Sequence, residues 1–380
     1  MIETVRFKNF KALRDVTVAL ERFTVLVGPN ASGKTSVLQG LDYLFFVRHR
    51  DLGFFRGERD FQVLRSRGAA SDASVEIHGS GTSLQKSSSI DLSLFEHGDH
   101  SSMWAIKAAH GDRSFNFDES DHDPDHVRYR EGTLLDEVTP AVDMLRFDAS
   151  KLAQPSYSAT LVPSIEPDGD GLAAVLADML ISRPDDFRRI EASLRAVIPS
   201  VERIRLERSP IKRSELQQIT INGQTMTSTI EREYVGHRVV FDMQGAPNLP
   251  AHGASEGTLI TLGILTAILS NKGPHLVLID DLERAIHPRA IGELVTQLRQ
   301  LLALFPDLQI VATSHSPYLI DHLDPAEVRL LISDETGSVK CARLGDHPEI
   351  ERWQEFMRPG EIWSMVGESW VGARGAEPHA

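Results

Sequence analysis

One cysteine, Cys341, in 380 residues leaves no partner for an intrachain disulfide and no Cys-x-x-Cys hook for a metal, which points to a reducing cytoplasm. Long apolar runs are missing as well: none approaches the roughly 20 residues of a membrane-spanning helix, so no membrane role is expected. The opening "MIETVRFKNFKALRDV" alternates like a strand and lacks the pattern of a secretory signal. Basic charge is in deficit. With 40 Lys and Arg against 54 Asp and Glu, a formal net charge of −14, the surface has no surplus of cations with which to coat nucleic acid, although a local basic groove stays open. Heptads sustained over several turns are absent too, which argues against a long coiled-coil arm. What remains, 41% hydrophobic and 25% charged residues, is ordinary globular composition with length for two or three lobes.

Against that background stands the run "FTVLVGPNASGKTSVLQGLDYL", residues 23–44. Phe23 to Val27 reads as a buried strand and Ser36 to Leu44 as a helix. Between them Gly28, Pro29, Asn30, Ala31, Ser32, Gly33, Lys34 and Thr35 match G-x-x-x-x-G-K-[ST], the phosphate-binding P-loop, in its strand-to-helix context. The two glycines let the backbone turn with its N–H groups inward, and the helix N-terminus adds partial positive charge where phosphate oxygens would sit. Lys34 is placed to reach the β- and γ-phosphates of ATP and Thr35 to hold Mg²⁺, with Ser36 completing the nucleotide-contacting set.

A P-loop needs a second signal to complete the Mg²⁺ shell and place a water. In "HLVLIDDLERAIHP" the apolar run Leu276 to Ile279 reads as a buried parallel strand, and Asp280 and Asp281 stand at its C-terminal end, where such strands open onto the P-loop crevice. Asp280 is the candidate Mg²⁺ acid. Asp281 is the nearest candidate for polarising the attacking water, with Glu283 its rival, while a plain helix-capping role for the acids is the alternative. In "LQIVATSHSPYLID", Gln309 to Ser314 reads as the next strand and ends in His315. One intervening helix makes a βαβ crossover that sets Asp280 and His315 on adjacent strands at one edge, where His315 can touch a γ-phosphate. Ser255 and Gly257, in "HGASEGTLITLGILTAIL", open an apolar helix; alone they are a good helix cap, and together with a helix dipole they make an anion site.

Taken in order, these motifs resemble the SMC-, RecF- and OLD-like branch of ABC-type ATPases: "GPNASGKT" at Gly28 to Thr35, "SEGT" at Ser255 to Thr258, "DDLERAIHP" at Asp280 to Pro288, and "TSHSP" at Thr313 to Pro317. The resemblance implies an α/β P-loop NTPase head of ABC type, a mixed or largely parallel sheet core carrying an antiparallel β-lobe and a helical-lobe insertion. It implies ATP and Mg²⁺ as cofactors, and a homodimer in which Ser255 and Gly257 of one copy complete the ATP site of the other. Lys8 and Lys11, in the opening hairpin, lie where related heads contact nucleotide. Two departures bear on rate and class: Asp281 stands where many relatives carry Glu, and Glu256 stands where transporters carry Gly.

The spacing suggests an ATPase core over 1–70 and 256–345, a β-rich lobe over 71–150, a helical lobe over 151–255, and a C-terminal segment over 346–380. In all, 227 positions separate Gly28 from Ser255, far more than a transporter head needs. "ASVEIHGSG", "SSSIDLSLFEHG", "SMWAIKAAHG" and "RSFNFDES" alternate like a β-meander, and stripes at Leu172 to Leu180 and Phe187 to Ile198 read as two short helices. Only 65 residues follow His315, which is too few for the TOPRIM nuclease domain of OLD nucleases, so an effector, nuclease-like in class, is expected on a separate protein. Trp363 and Trp370 either anchor a partner or pack the tail on its own head, and "GARGAEPHA" is expected to be unstructured. Asp121, His122, Asp123, Asp125 and His126 are metal-binding types in a loop that reads as solvated. The basic stretch 47–68 can face DNA or solvent, with Gln62 a weak candidate for a water- or Mg²⁺-contacting glutamine. The expectation is a cytoplasmic ATPase, sensor or motor of a DNA-maintenance or anti-phage system; a transporter ATPase subunit and a nucleotide-gated scaffold with negligible hydrolysis are the competing classes.

Overall fold

The computed structural model describes residues 1–46, 61–70, 72–83, 86–96, 102–118, 139–221, 224–270 and 275–373. In chain order the elements are β1 (Ile2–Phe10), β2 (Leu13–Ala19), β3 (Phe23–Val27), α1 (Lys34–Phe46), β4 (Val75–Ser83), β5 (Lys86–Glu96), β6 (Ser102–His110), β7 (Arg113–Asp118), β8 (Ala141–Leu145), α2 (Leu172–Ser182), α3 (Pro184–Val197), β9 (Val201–Ile221), β10 (Gln224–Met243), β11 (Ala246–Pro250), α4 (Glu256–Ser270), β12 (His275–Ile279), α5 (Pro288–Leu304), β13 (Leu308–Ser314), α6 (Pro317–Ile320), β14 (Val328–Ser333), β15 (Val339–Arg343), α7 (Pro359–Val366) and α8 (Ser369–Ala373). The chain divides into two compact units, one of Met1–Met144, Gly273–Glu283 and Leu298–Ala380, the other of Leu145–Lys272 and Arg284–Gln297.

The first unit holds two six-stranded sheets. One has the order β15-β14-β3-β13-β12-β8, in which β12, β13, β3 and β14 run parallel and β15 antiparallel to β14. Strands β3, β12 and β13 are buried at every residue, as parallel strands covered on both faces must be, and so are mostly apolar, with Thr24, His275, Gln309, Thr313 and Ser314 buried among the apolar residues. The other is wholly antiparallel, in the order β2-β1-β4-β5-β6-β7, so the expected meander continues the N-terminal hairpin as a single sheet, with Val5 opposite Gly79. Here one face is buried: β1 turns Ile2, Val5, Phe7 and Phe10 inward and alternates with exposed residues.

Helix α1 packs against strands of both sheets, burying Val37, Leu38, Leu41 and Leu44. Phe7 is wholly buried there, and its ring lies so close to Gly40 that a Cβ at that glycine would sit 2.3 Å from it. Phe7→Ala should therefore cost about 3–5 kcal/mol, read as a drop in the denaturant midpoint at unchanged m-value. A loss under about 1 kcal/mol would mean that this junction is loosely packed.

The second unit pairs helices with a three-stranded sheet of order β11-β10-β9. Its α4 is buried from Gly257 to Leu269 and packs with α2 and α3, which explains an apolar pattern with no polar face. The two stripes read as helices are α2 and α3. The rest of 151–255 is not helical as expected: β9 and β10 form one long hairpin, in register from Ile204 opposite Phe241 to Thr220 opposite Thr225. Polar and charged residues together outnumber apolar ones along these strands, so the period-2 signal is too faint to read without the partner strand.

At the C-terminus the Trp370 ring meets His347 edge-on at 4.9 Å and Trp353 lies against the same histidine at 4.6 Å, so this tail packs on its own unit. The residues 374–380, Asp121 to His126 and residues 47–60 of the basic stretch 47–68 lie outside the described residues; Gln62 falls in a helical turn, Phe61–Leu64, with its side chain outside them. Among the described residues no helix is long and apolar enough to cross a membrane.

Candidate functional site

Strand β3 ends at Val27, and the loop that follows is possible only with this sequence. Gly28 has φ +143°, and a Cβ there would lie 2.1 Å from the carbonyl oxygen of Leu331 on β14. Gly33 has φ +93° and is pressed against Leu13 and Val339. Between them Ala31 also takes a left-handed backbone, φ 64°. The loop then feeds α1, whose first residues are Lys34, Thr35 and Ser36. Lys34 is 5% exposed, and its Nζ donates to the carbonyls of Gly28 and Pro29, 2.9 Å each. Burial lowers its pKa, and the charges of Asp281, Asp280, Glu368 and Glu283 oppose that shift.

Opposite the loop, β12 and β13 deliver the acids. The parallel register sets Ile279 beside Ala312, so Asp280 emerges next to Thr313, which donates to the Asp280 carboxylate at 2.8 Å and accepts the Asp281 N–H at 2.8 Å. Thr35 of the P-loop also reaches Asp280, Oγ1 to Oδ1 3.3 Å. The P-loop hydroxyl and the strand-end acid, 245 positions apart in the chain, are thus within bonding reach. Asp281 has φ 57° and Ala285 φ 59°, two residues in the left-handed region within one short loop; for Ala285 this is strained backbone, whereas Asp tolerates it. Glu283 accepts the His315 N–H at 2.7 Å through one oxygen, and its other carboxylate oxygen is buried without a hydrogen-bond partner.

A cleft of about 930 Å³ joins these parts, lined by Asn30 to Ser36, Asp281, Thr313 and His315. Its far wall is basic: Lys11, Arg14, Arg65 and Arg67. Lys11 Nζ bonds the Gln39 side chain, and Arg14 donates to the Arg67 carbonyl at 3.3 Å. Arg65 and Arg67, in the stretch read as facing DNA or solvent, instead line this cleft; the signal was the local density of arginine, and only the fold shows what it faces. Lys8 is not part of the cleft lining and pairs with Glu76 at 3.3 Å. The motif Thr313 to Pro317 by itself gives Thr313 no role; the pairing of β12 with β13 supplies it.

In the second unit Ser255 caps α4, its Oγ accepting the Thr258 N–H at 3.2 Å and lying 2.8 Å from the Thr258 hydroxyl. Gly257 is demanded by packing, since a Cβ would fall 2.4 Å from the Ala285 carbonyl oxygen. Glu256 pairs with Arg284 at 3.0 Å. The capping role is therefore real.

Comparison with known proteins adds two findings. Residues 23–321 match the family described as "AAA domain, putative AbiEii toxin, Type IV TA system". A segment of 61 residues is 36% identical to an OLD nuclease of Thermus scotoductus (strain ATCC 700910 / SA-01), covering 16% of this chain and 12% of that nuclease.

Proposed function

From a chain that belongs to this AAA-domain family, matched over residues 23–321, we propose an ATP-binding and ATP-hydrolysing switch protein. The observation that carries the reading is the meeting of Thr35 and Thr313 on the carboxylate of Asp280, beside a buried Lys34. Asn30 to Ser36 cradle the polyphosphate with Gly28 and Pro29 shaping the loop, and Lys34 pairs with its β- and γ-oxygens. Thr35 and Asp280 supply only hard oxygen donors, a set that fits Mg²⁺, and these two residues would hold the ion, which would supply positive charge against the phosphates. Asp281 faces the cleft and orients the attacking water; Glu283 holds the His315 backbone, so that His315 is set against the terminal phosphate and reports its loss.

Ser255, Gly257 and the N-terminus of α4 serve the γ-phosphate of a second copy, so that two ATP molecules join two chains and hydrolysis loosens them. The matched family's printed description and the OLD nuclease likeness support a setting in defence or a toxin-antitoxin-like system. A separate nuclease-like effector and DNA, met in the cytoplasm, are the partners proposed for it. Purified chain should release phosphate from ATP when Mg²⁺ is present and lose at least about tenfold of that rate with excess EDTA. Rates indifferent to both ATP and the chelator would end the assignment.

A further inference from the structure

Two turns complete the nucleotide cleft. At the first, between β1 and β2, the Lys11 N–H donates to the Leu64 carbonyl at 2.7 Å and the Ser66 N–H to the Asn9 carbonyl at 2.8 Å, which sets Arg65 to Arg67 beside the turn. Ser66 is buried, while Arg65 and Arg67 on either side of it line the cleft together with Val63. The Arg14 side chain donates to the Arg67 carbonyl at 3.3 Å. The second turn joins β14 to β15. There the Asp334 carboxylate accepts the N–H groups of Thr336 and Ser338 at 2.9 and 3.0 Å and the Thr336 hydroxyl at 2.6 Å, and Thr336 and Gly337 line the cleft. Nothing lies within 4 Å of where a Gly337 Cβ would stand, so the cleft is open at that point.

Strand order gives a bound nucleotide its direction. In β15-β14-β3-β13-β12 the P-loop follows β3; Asp281 and His315 follow β12 and β13 on one side of it, and β14 and β15 stand on the other, where β2 packs along β15. A triphosphate whose terminal phosphate meets Asp281 and His315 therefore sends its nucleoside toward the two turns. Among the described residues of the cleft lining there is no Phe, Tyr or Trp ring, and its one carboxylate and one carboxamide, Asp281 and Asn30, belong to the β12 end and the P-loop. Arg65 and Arg67 carry donors only, and the Leu64 and Arg67 carbonyls already accept hydrogen bonds. Guanidinium planes stack on any base, and at base edges they serve the O6 and N7 acceptors of guanine; the adenine N6 amino group is left with the Thr336 oxygen, whose proton is spent on Asp334. Resting on the nucleotide reading above, we propose that this cleft does not select adenine: its nucleoside end, at Arg65, Arg67 and the Thr336–Gly337 turn, binds guanosine triphosphate at least as tightly as ATP.

The test is calorimetric titration of the full chain with ATP, GTP and inorganic tripolyphosphate, in Mg²⁺ and about 0.15 M salt. GTP should bind between equally and about tenfold more tightly than ATP, and a preference for ATP of more than about threefold overturns the proposal. Arg67→Lys keeps the charge and loses the planar fork, at an exposed position where the fold is spared. The variant should bind both nucleotides about 3- to 10-fold more weakly and tripolyphosphate within about twofold of wild type. Nucleotide affinity that does not fall, or tripolyphosphate affinity that falls along with it, also overturns the proposal. A wild-type chain that binds ATP and rejects GTP removes this inference and leaves the nucleotide reading standing; a chain that binds none of the three ligands removes both.

Discussion

Lys34→Ala should all but abolish nucleotide binding, weakening it by at least about 100-fold, and with it all hydrolysis. The ammonium is 5% exposed, held between two loop carbonyls, and carries the positive charge against which Asp280, Asp281, Glu283 and Glu368 are set. Its removal leaves those carboxylates facing the phosphates uncompensated, so the loss exceeds that of one exposed ion pair. Lys34→Arg should not rescue it, because a planar guanidinium cannot occupy the space between the Gly28 and Pro29 carbonyls that a point charge fills. Equilibrium dialysis with labelled ATP checks this directly, and an alanine variant that binds ATP like wild type would remove the P-loop from the chemistry.

The second large effect separates chemistry from binding. Asp281→Asn should retain ATP affinity while turnover falls by about 10²- to 10⁴-fold, the usual contribution of a positioned acid or base. Asparagine is the informative choice. Asp281 sits at φ 57°, and Asn accepts that backbone readily, so the loop and the Thr313 hydrogen bond to its N–H survive while the negative charge is lost. With hydrolysis stalled, ATP should accumulate a dimer visible by sedimentation, and Ser255→Arg in the same background should return it to monomer by blocking the start of α4. Unchanged turnover in Asp281→Asn would transfer the base to Glu283, whose second oxygen is buried and unpartnered. A monomer at saturating ATP would end the two-site dimer.

Sequence alone determined the parts whose function is written in local conformation. Two glycines with a lysine directly after the second, flanked by a strand and a helix, admit few backbones, so this loop was legible, and the helix read as Ser36 to Leu44 lies inside the observed Lys34–Phe46. The largely apolar segments of β12 and β13 read as parallel strands buried on both faces, with Asp280 and His315 following their ends, and the structure pairs them in parallel. Tertiary structure decided everything that depends on register or on distant chain. Thr313 became a bridge between Asp280 and Asp281 only when β13 paired with β12 in one register. Arg65 and Arg67 could not be told from solvated charge until a cleft wall formed around them. The β9–β10 hairpin hid because charged strands satisfy their backbones only in each other, and no periodicity announces that partner. Gly257 looked like part of an anion site and proved also to be a packing contact against Ala285.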